Sequence, residues 1–120
     1  MTTGPEIRIN LAPANGAVTV HADGRRLAHS DRALVLTERG YPPVLYIPRS
    51  DVDMAVLTGS STQTHCPYKG DATYYSLTDE AGGTTDVAWS YETPIDDVAP
   101  IADHIAFDDL KVDVALDPAG

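Results

Sequence analysis

The sequence predicts a mostly β fold: one small domain of two antiparallel sheets, with a single short helix near residues 50–57. Three observations lead there. Apolar residues alternate with small or polar ones over short runs, as in Val18-Thr19-Val20 and Val87-Ala88-Trp89-Ser90-Tyr91. Turn formers punctuate those runs, at Asp23-Gly24, Gly40-Tyr41-Pro42-Pro43 and Gly82-Gly83. The 120 residues suit one domain, and no internal boundary, repeat or low-complexity segment divides them.

The elements follow in order. Val18 and Val20 lead into Asp23-Gly24, a tight-turn pair, and Arg25 to Ala28 return as the second strand of a hairpin. Ala33 to Thr37 is an apolar run of strand length, stopped by the Gly-Tyr-Pro-Pro break. Val44 to Ile47 is the next strand, ended by Pro48. Ser50-Asp51-Val52-Asp53 reads as a helix start, with Ser50 as cap and Asp53 answering it. The helix should end near Leu57, because Thr58 to Thr64 is a Gly, Ser and Thr cluster typical of a loop. A strand through Thr73, Tyr74 and Tyr75 precedes a hairpin tip at Thr78 to Thr85. Val87, Trp89 and Tyr91 then share one large apolar face. Pro94 to Pro100 is irregular, with Asp96-Asp97 opening one helical turn. Ile105 and Phe107, then Val112, Val114 and Leu116, make the last two strands. The core is expected over about residues 17–116, with frayed ends at 1–5 and 117–120.

Charge narrows the partners. Eighteen acidic residues against eight basic ones give a formal net charge of −10. The basic residues are scattered, so nucleic acid and anionic membrane surfaces are not expected partners. No run approaches the ~18 apolar residues of a membrane span. Met1 to Ile9 lack a basic region followed by an apolar run, so no secretory signal is expected. A single cysteine fits a reducing, cytoplasmic setting.

The chemistry gathers at Thr64 to Tyr75, which holds the only cysteine, Cys66, with His65 beside it and Lys69 three residues on. Pro67 and Gly70 brace a tight loop from Cys66 to Gly70. A thiolate is a nucleophile, and Lys69 across the turn would lower the Cys66 pKa. His65 points to the opposite side of an extended strand, which counts against it as a base. Cys66 and Glu38 stand nearest to any catalysis; the bland reading of Cys66 is an inert core residue. Arg49 and Lys69 each follow a proline-bearing strand end and would present cations to a shared cleft, the alternative being ion pairs with Asp51, Asp71 or Glu38. Tyr75, Trp89 and Tyr91 would wall that cleft, although Val87 and Trp89 read more simply as core.

No metal is expected. Asp51-Val52-Asp53 resembles the magnesium-holding acids of nucleotidyltransferases only loosely, since the acids open a helix and Gly59-Ser60 follows rather than precedes them. His21, His29, His65 and His104 show no ligand spacing. No phosphate-binding glycine loop or serine nucleophile elbow is present, and no cofactor is expected.

Several motifs together resemble a known family. They are Ala28-His29-Ser30 with Glu38, Tyr46-Ile47-Pro48 with Asp51-Val52, and Thr64 with Cys66-Pro67-Tyr68-Lys69-Gly70. Tyr74-Tyr75, Ala88-Trp89-Ser90-Tyr91 with Pro94, and Ile105-Ala106-Phe107 continue the series. Their order, from about Val18 to Leu116, is similar to the bacterial domain of unknown function 427. The resemblance implies a β-tent-like fold, two antiparallel sheets pinned at one end, similar to methionine sulfoxide reductase B and several zinc-binding regulators. Those relatives hold zinc with two Cys-x-x-Cys pairs; one cysteine cannot supply them, so zinc is expected to be absent. The family brings no settled activity.

The leading functional expectation is a domain binding a small anionic ligand near the Cys-Pro-Tyr-Lys-Gly loop, with or without catalysis. One alternative is thiol or redox chemistry at Cys66, which would need an external resolving thiol. The other is a non-catalytic module binding a protein through its sheet surface or edges.

Overall fold

The computed structural model describes residues 9–118. Among these residues ten strands form two antiparallel sheets. The larger sheet has the order β1 (Ile9–Pro13), β4 (Leu34–Glu38), β5 (Val44–Pro48), β9 (His104–Phe107), β8 (Ala88–Ser90), β7 (Gly70–Leu77) and β6 (Leu57–Cys66). The smaller has β10 (Asp113–Pro118), β2 (Gly16–Ala22) and β3 (Arg25–Ser30). No helix among the described residues is long and apolar enough to cross a membrane.

Alternation along the strands builds two cores, one on each face of the larger sheet. Ile47, Ala88 and Ile105 face the smaller sheet and pack with Val18, Val20 and Leu27. Their neighbours Tyr46, Trp89 and Ala106 face the other way and pack with Leu36, Tyr91 and Ile101. A single row of cross-strand pairs, Leu34–Tyr46–Ala106–Trp89–Tyr74, crosses five strands on that second face. Ala106 is the small member of the row. The large rings beside it therefore meet above its methyl, where the Trp89 indole N–H donates to the Tyr46 hydroxyl at 3.3 Å.

Several expectations need correction. The helix over residues 50–57 is two 3-10 turns, Arg49–Asp51 and Met54–Val56. Strand β3 breaks it: Val52 is extended and bridges Ala28, and the Asp53 amide donates to the Leu27 carbonyl at 2.8 Å. Ser50 is no cap; its hydroxyl accepts from Arg32, while Asp53 caps the second turn by accepting from the Ala55 amide. Thr58 to Thr64 is not a loop but lies within β6. An edge strand has one unpaired side and shows no apolar alternation, so its Thr and Ser residues hide the strand signal.

Val87 does not share a face with Trp89 and Tyr91. It is buried between the sheets, and they pack on the far side. Asp86, at φ 51°, sits in the left-handed region just before Val87. Strand β1 was not expected at all. Asp117 and Pro118, expected to fray, pair with Ala17 and Gly16. The expected fraying of residues 1–5 and 119–120 lies outside the described residues.

Candidate functional site

The β6–β7 hairpin carries the predicted loop. Cys66 and Gly70 are its last cross-strand pair, and the Lys69 amide donates to the Cys66 carbonyl at 3.2 Å. Pro67 and Tyr68 fill the two corners of this turn, the first of which favours proline. Gly70, at φ 118°, adopts backbone that side chains disfavour. A Cβ there would also lie 3.3 Å from the Thr93 carbonyl oxygen, because the 93–95 segment packs on the loop and the Ile95 amide donates to the Lys69 carbonyl.

That bend turns Lys69 inward. Its side chain is 14% exposed and its ammonium lies 2.7 Å from Oε1 of Glu38, itself 9% exposed. Glu38 is held at the end of β4 by pairing with Ile9 of β1. The ammonium also stands 5.9 Å from the centre of the Tyr91 ring. An ammonium has three N–H donors. Among the described residues Lys69 uses one of them, on Glu38.

Two hollows meet at Lys69. The first, about 450 Å³, is mostly apolar and lies beneath the Tyr41-Pro42-Pro43 connection, with Leu36, Cys66 and Asp109 in its walls. The second, about 400 Å³, is more polar and opens over Tyr46, Tyr91, Tyr74 and Thr64. Val44, Lys69, Trp89 and Asp108 line both.

The second hollow is rich in hydroxyls. Thr64 and Tyr74 hydrogen-bond each other at 3.1 Å. Tyr46 accepts the Trp89 indole N–H. Tyr91, only 6% exposed, makes ring contacts with Tyr46 and Lys69, and its hydroxyl has no hydrogen-bond partner among the described residues. Burial pushes the Tyr46 phenol up to about 12 and raises Tyr91 as well. At the mouth, the Ser60 and Thr62 hydroxyls hold the Asp86 carboxyl below the ordinary range. Lys111 donates to the carbonyls of Thr85 and Asp86.

Glu38, Cys66, Lys69, Trp89 and Tyr91 are thus brought together. Arg49 and Tyr75 are not, and they line neither hollow. Tyr75 faces the core between the sheets, opposite to Tyr74. Arg49 donates to the Tyr75 hydroxyl at 3.2 Å and pairs with Glu92 at 2.6 Å and Asp103 at 3.3 Å. Burial opposes the Arg49 charge, but Tyr75, Glu92 and Asp103 outweigh it and hold its pKa above the ordinary value. Ser90, fully buried, completes this cluster by donating to Glu92.

His65 turns to Asp71, 2.6 Å away across the hairpin, and both are exposed. The other acidic candidate, Asp51, is engaged by the Ser30 hydroxyl at 2.6 Å and by Arg32, which hold its carboxyl below the ordinary range. Sequence reasoning missed Tyr46, Val44 and Asp108. Tyr46 carried a usable signal, since alternation with Ile47 sends its ring to the opposite face.

A family model described as Domain of unknown function (DUF427) matches residues 10–118. No curated protein matches the chain.

Proposed function

The chain belongs to the DUF427 family, and on that footing we propose that it is a small-molecule-binding domain whose ligand spans the two hollows meeting at Lys69 and Trp89. The observation that carries this reading is the Lys69 ammonium, nearly buried at that junction with donors to spare. A buried ion pair seldom adds stability over an apolar pair of like volume. Its placement in a hollow rather than in packed core gives it a use: its remaining donors face space a ligand can fill. The apolar hollow suits the ligand's body and the hydroxyl-rich one its polar end.

Thiol chemistry at Cys66 has less support. Cys66 lines the first hollow, but the Lys69 ammonium is paired with Glu38 and His65 with Asp71. The shared cleft expected of Arg49 and Lys69 does not form, which removes half the case for an anionic ligand.

The reading is tested by thermal-shift screening against a metabolite panel, followed by titration of hits against the fluorescence of Trp89, the only tryptophan. A true ligand raises the melting temperature, changes Trp89 emission and binds at least about tenfold more weakly to Lys69→Met, a loss expected for a charge-assisted hydrogen bond. Hits that leave Trp89 silent and bind Lys69→Met undiminished would place binding elsewhere.

A further inference from the structure

Resting on that reading, we propose that the polar end of the ligand is an uncharged carboxamide, seated in the second hollow against the hydroxyls of Tyr46 and Tyr91 and the ammonium of Lys69. Three groups there are hydrogen-bond donors without enough acceptors. The Tyr91 hydroxyl has no partner among the described residues; it is not one of the sealed unpartnered atoms, so the tip of this otherwise buried residue stays accessible. The Tyr46 hydroxyl accepts from Trp89, which leaves its own hydrogen to give. Lys69 has N–H groups beyond the one on Glu38. Both phenols are held well above neutral pH by burial, so they stay protonated and act as donors. These donors call for an oxygen acceptor, while Asp86 Oδ1 on the same lining, buried and without a partner among the described residues, calls for a donor.

Charge then decides between a carboxylate and a neutral carbonyl. Lys69 is already neutralised by Glu38. The other cation at the hollow, Lys111, sits on backbone carbonyls, and Asp86 and Asp108 line the same walls. Asp108 and Asp109 flank the first hollow as well. Counting Glu38 with the lining residues of both hollows, four carboxylates face two ammonium groups, inside a chain of net charge −10. A carboxylate entering here loses hydration and meets net repulsion. A neutral carbonyl collects the same hydrogen bonds without either cost. The carboxylates on the walls further favour a group that also donates, which an amide N–H does and a ketone or ester does not.

The experiment is a matched-pair titration of isotopically labelled protein with 3-phenylpropanamide and 3-phenylpropanoate, following the indole N–H resonance of Trp89. Expected is a Trp89 shift with the amide and amide binding at least about fivefold tighter than the acid. Tyr91→Phe should erase about fivefold of the amide's affinity, the worth of one neutral hydrogen bond. It should leave folding intact, because the lost hydroxyl has no partner among the described residues. A carboxylate bound as tightly as the amide, or amide binding indifferent to Tyr91→Phe, overturns the carboxamide assignment while the binding reading stands. No Trp89 response to either compound also overturns the carboxamide assignment, and the binding reading is then decided by the metabolite-panel titration alone.

Discussion

Lys69 and Arg49 look alike in the sequence, each a cation just past a proline-bearing strand end, and the structure gives them opposite fates. Arg49 spends its planar fork on Tyr75, Glu92 and Asp103 and lies over the Tyr75 ring, 5.7 Å from its centre. Lys69 meets one carboxylate and open space. The difference teaches that a cation's usefulness to a ligand depends on what its own fold leaves over. A guanidinium with several partners is a rivet. An ammonium with one carboxylate partner, beside a hollow, has donors left for the proposed ligand.

The comparison is broken most forcefully at Glu38. Glu38→Ala leaves the nearly buried Lys69 charge without its carboxylate and should cost about 3–5 kcal/mol in urea unfolding. The paired change Glu38→Leu with Lys69→Met should recover at least about half of that loss, because the Lys69 charge leaves with its carboxylate. A cost below about 1 kcal/mol for Glu38→Ala would mean the pair is hydrated and the contrast false.

Arg49→Ala should cost less, about 1–2 kcal/mol. Glu92 and Asp103 are 49% and 83% exposed, so water screens both ion pairs and the Tyr75 contacts carry most of the loss. This variant should leave ligand-induced Trp89 changes untouched. A ligand that binds more weakly to Arg49→Ala would join the two regions into one site.

The smallest effect sharpens the picture at alkaline pH. The Tyr46 phenol ionises near 12 in the folded chain against an ordinary value of 10, so the unfolded chain gives up its proton first. The stabilisation is whole below pH 10 and is lost as pH rises from 10 toward 12. Tyr46→Phe should flatten that alkaline decline, at a neutral-pH cost of about 0.5–1.5 kcal/mol for the Trp89 hydrogen bond. Denaturation midpoints from pH 8 to 11 measure both; an unchanged slope in Tyr46→Phe would show that Tyr46 is not the buried phenol responsible.

Much of the fold was legible because the buried strands write a two-residue period into Val18-Thr19-Val20 and Trp89-Ser90-Tyr91. The edges were not. Leu57 to Cys66 pairs on one side only and needs no apolar alternation, so Thr58 to Thr64 read as a loop. The helix over 50–57 failed for a tertiary reason: the Leu27 carbonyl takes the Asp53 amide, and no local sequence announces that claim. At the site, the proline and glycine flanking Lys69 pointed correctly to a rigid bend. The sequence offered Glu38, 31 residues away, with Asp51 and Asp71 as possible partners, but nothing near Lys69 chooses among them or says that Tyr46 and Trp89 meet over Ala106.

The outermost strand of the larger sheet carries a further consequence. Between the pairs Gly59–Tyr75 and Gln63–Thr73, the three residues Ser60 to Thr62 stand opposite Tyr74 alone. That surplus kinks the free rim of β6 and interrupts its row of amides and carbonyls. A newly made copy of the chain therefore finds no straight template there on which to add itself, and the kink guards a long uncharged margin against fibre growth.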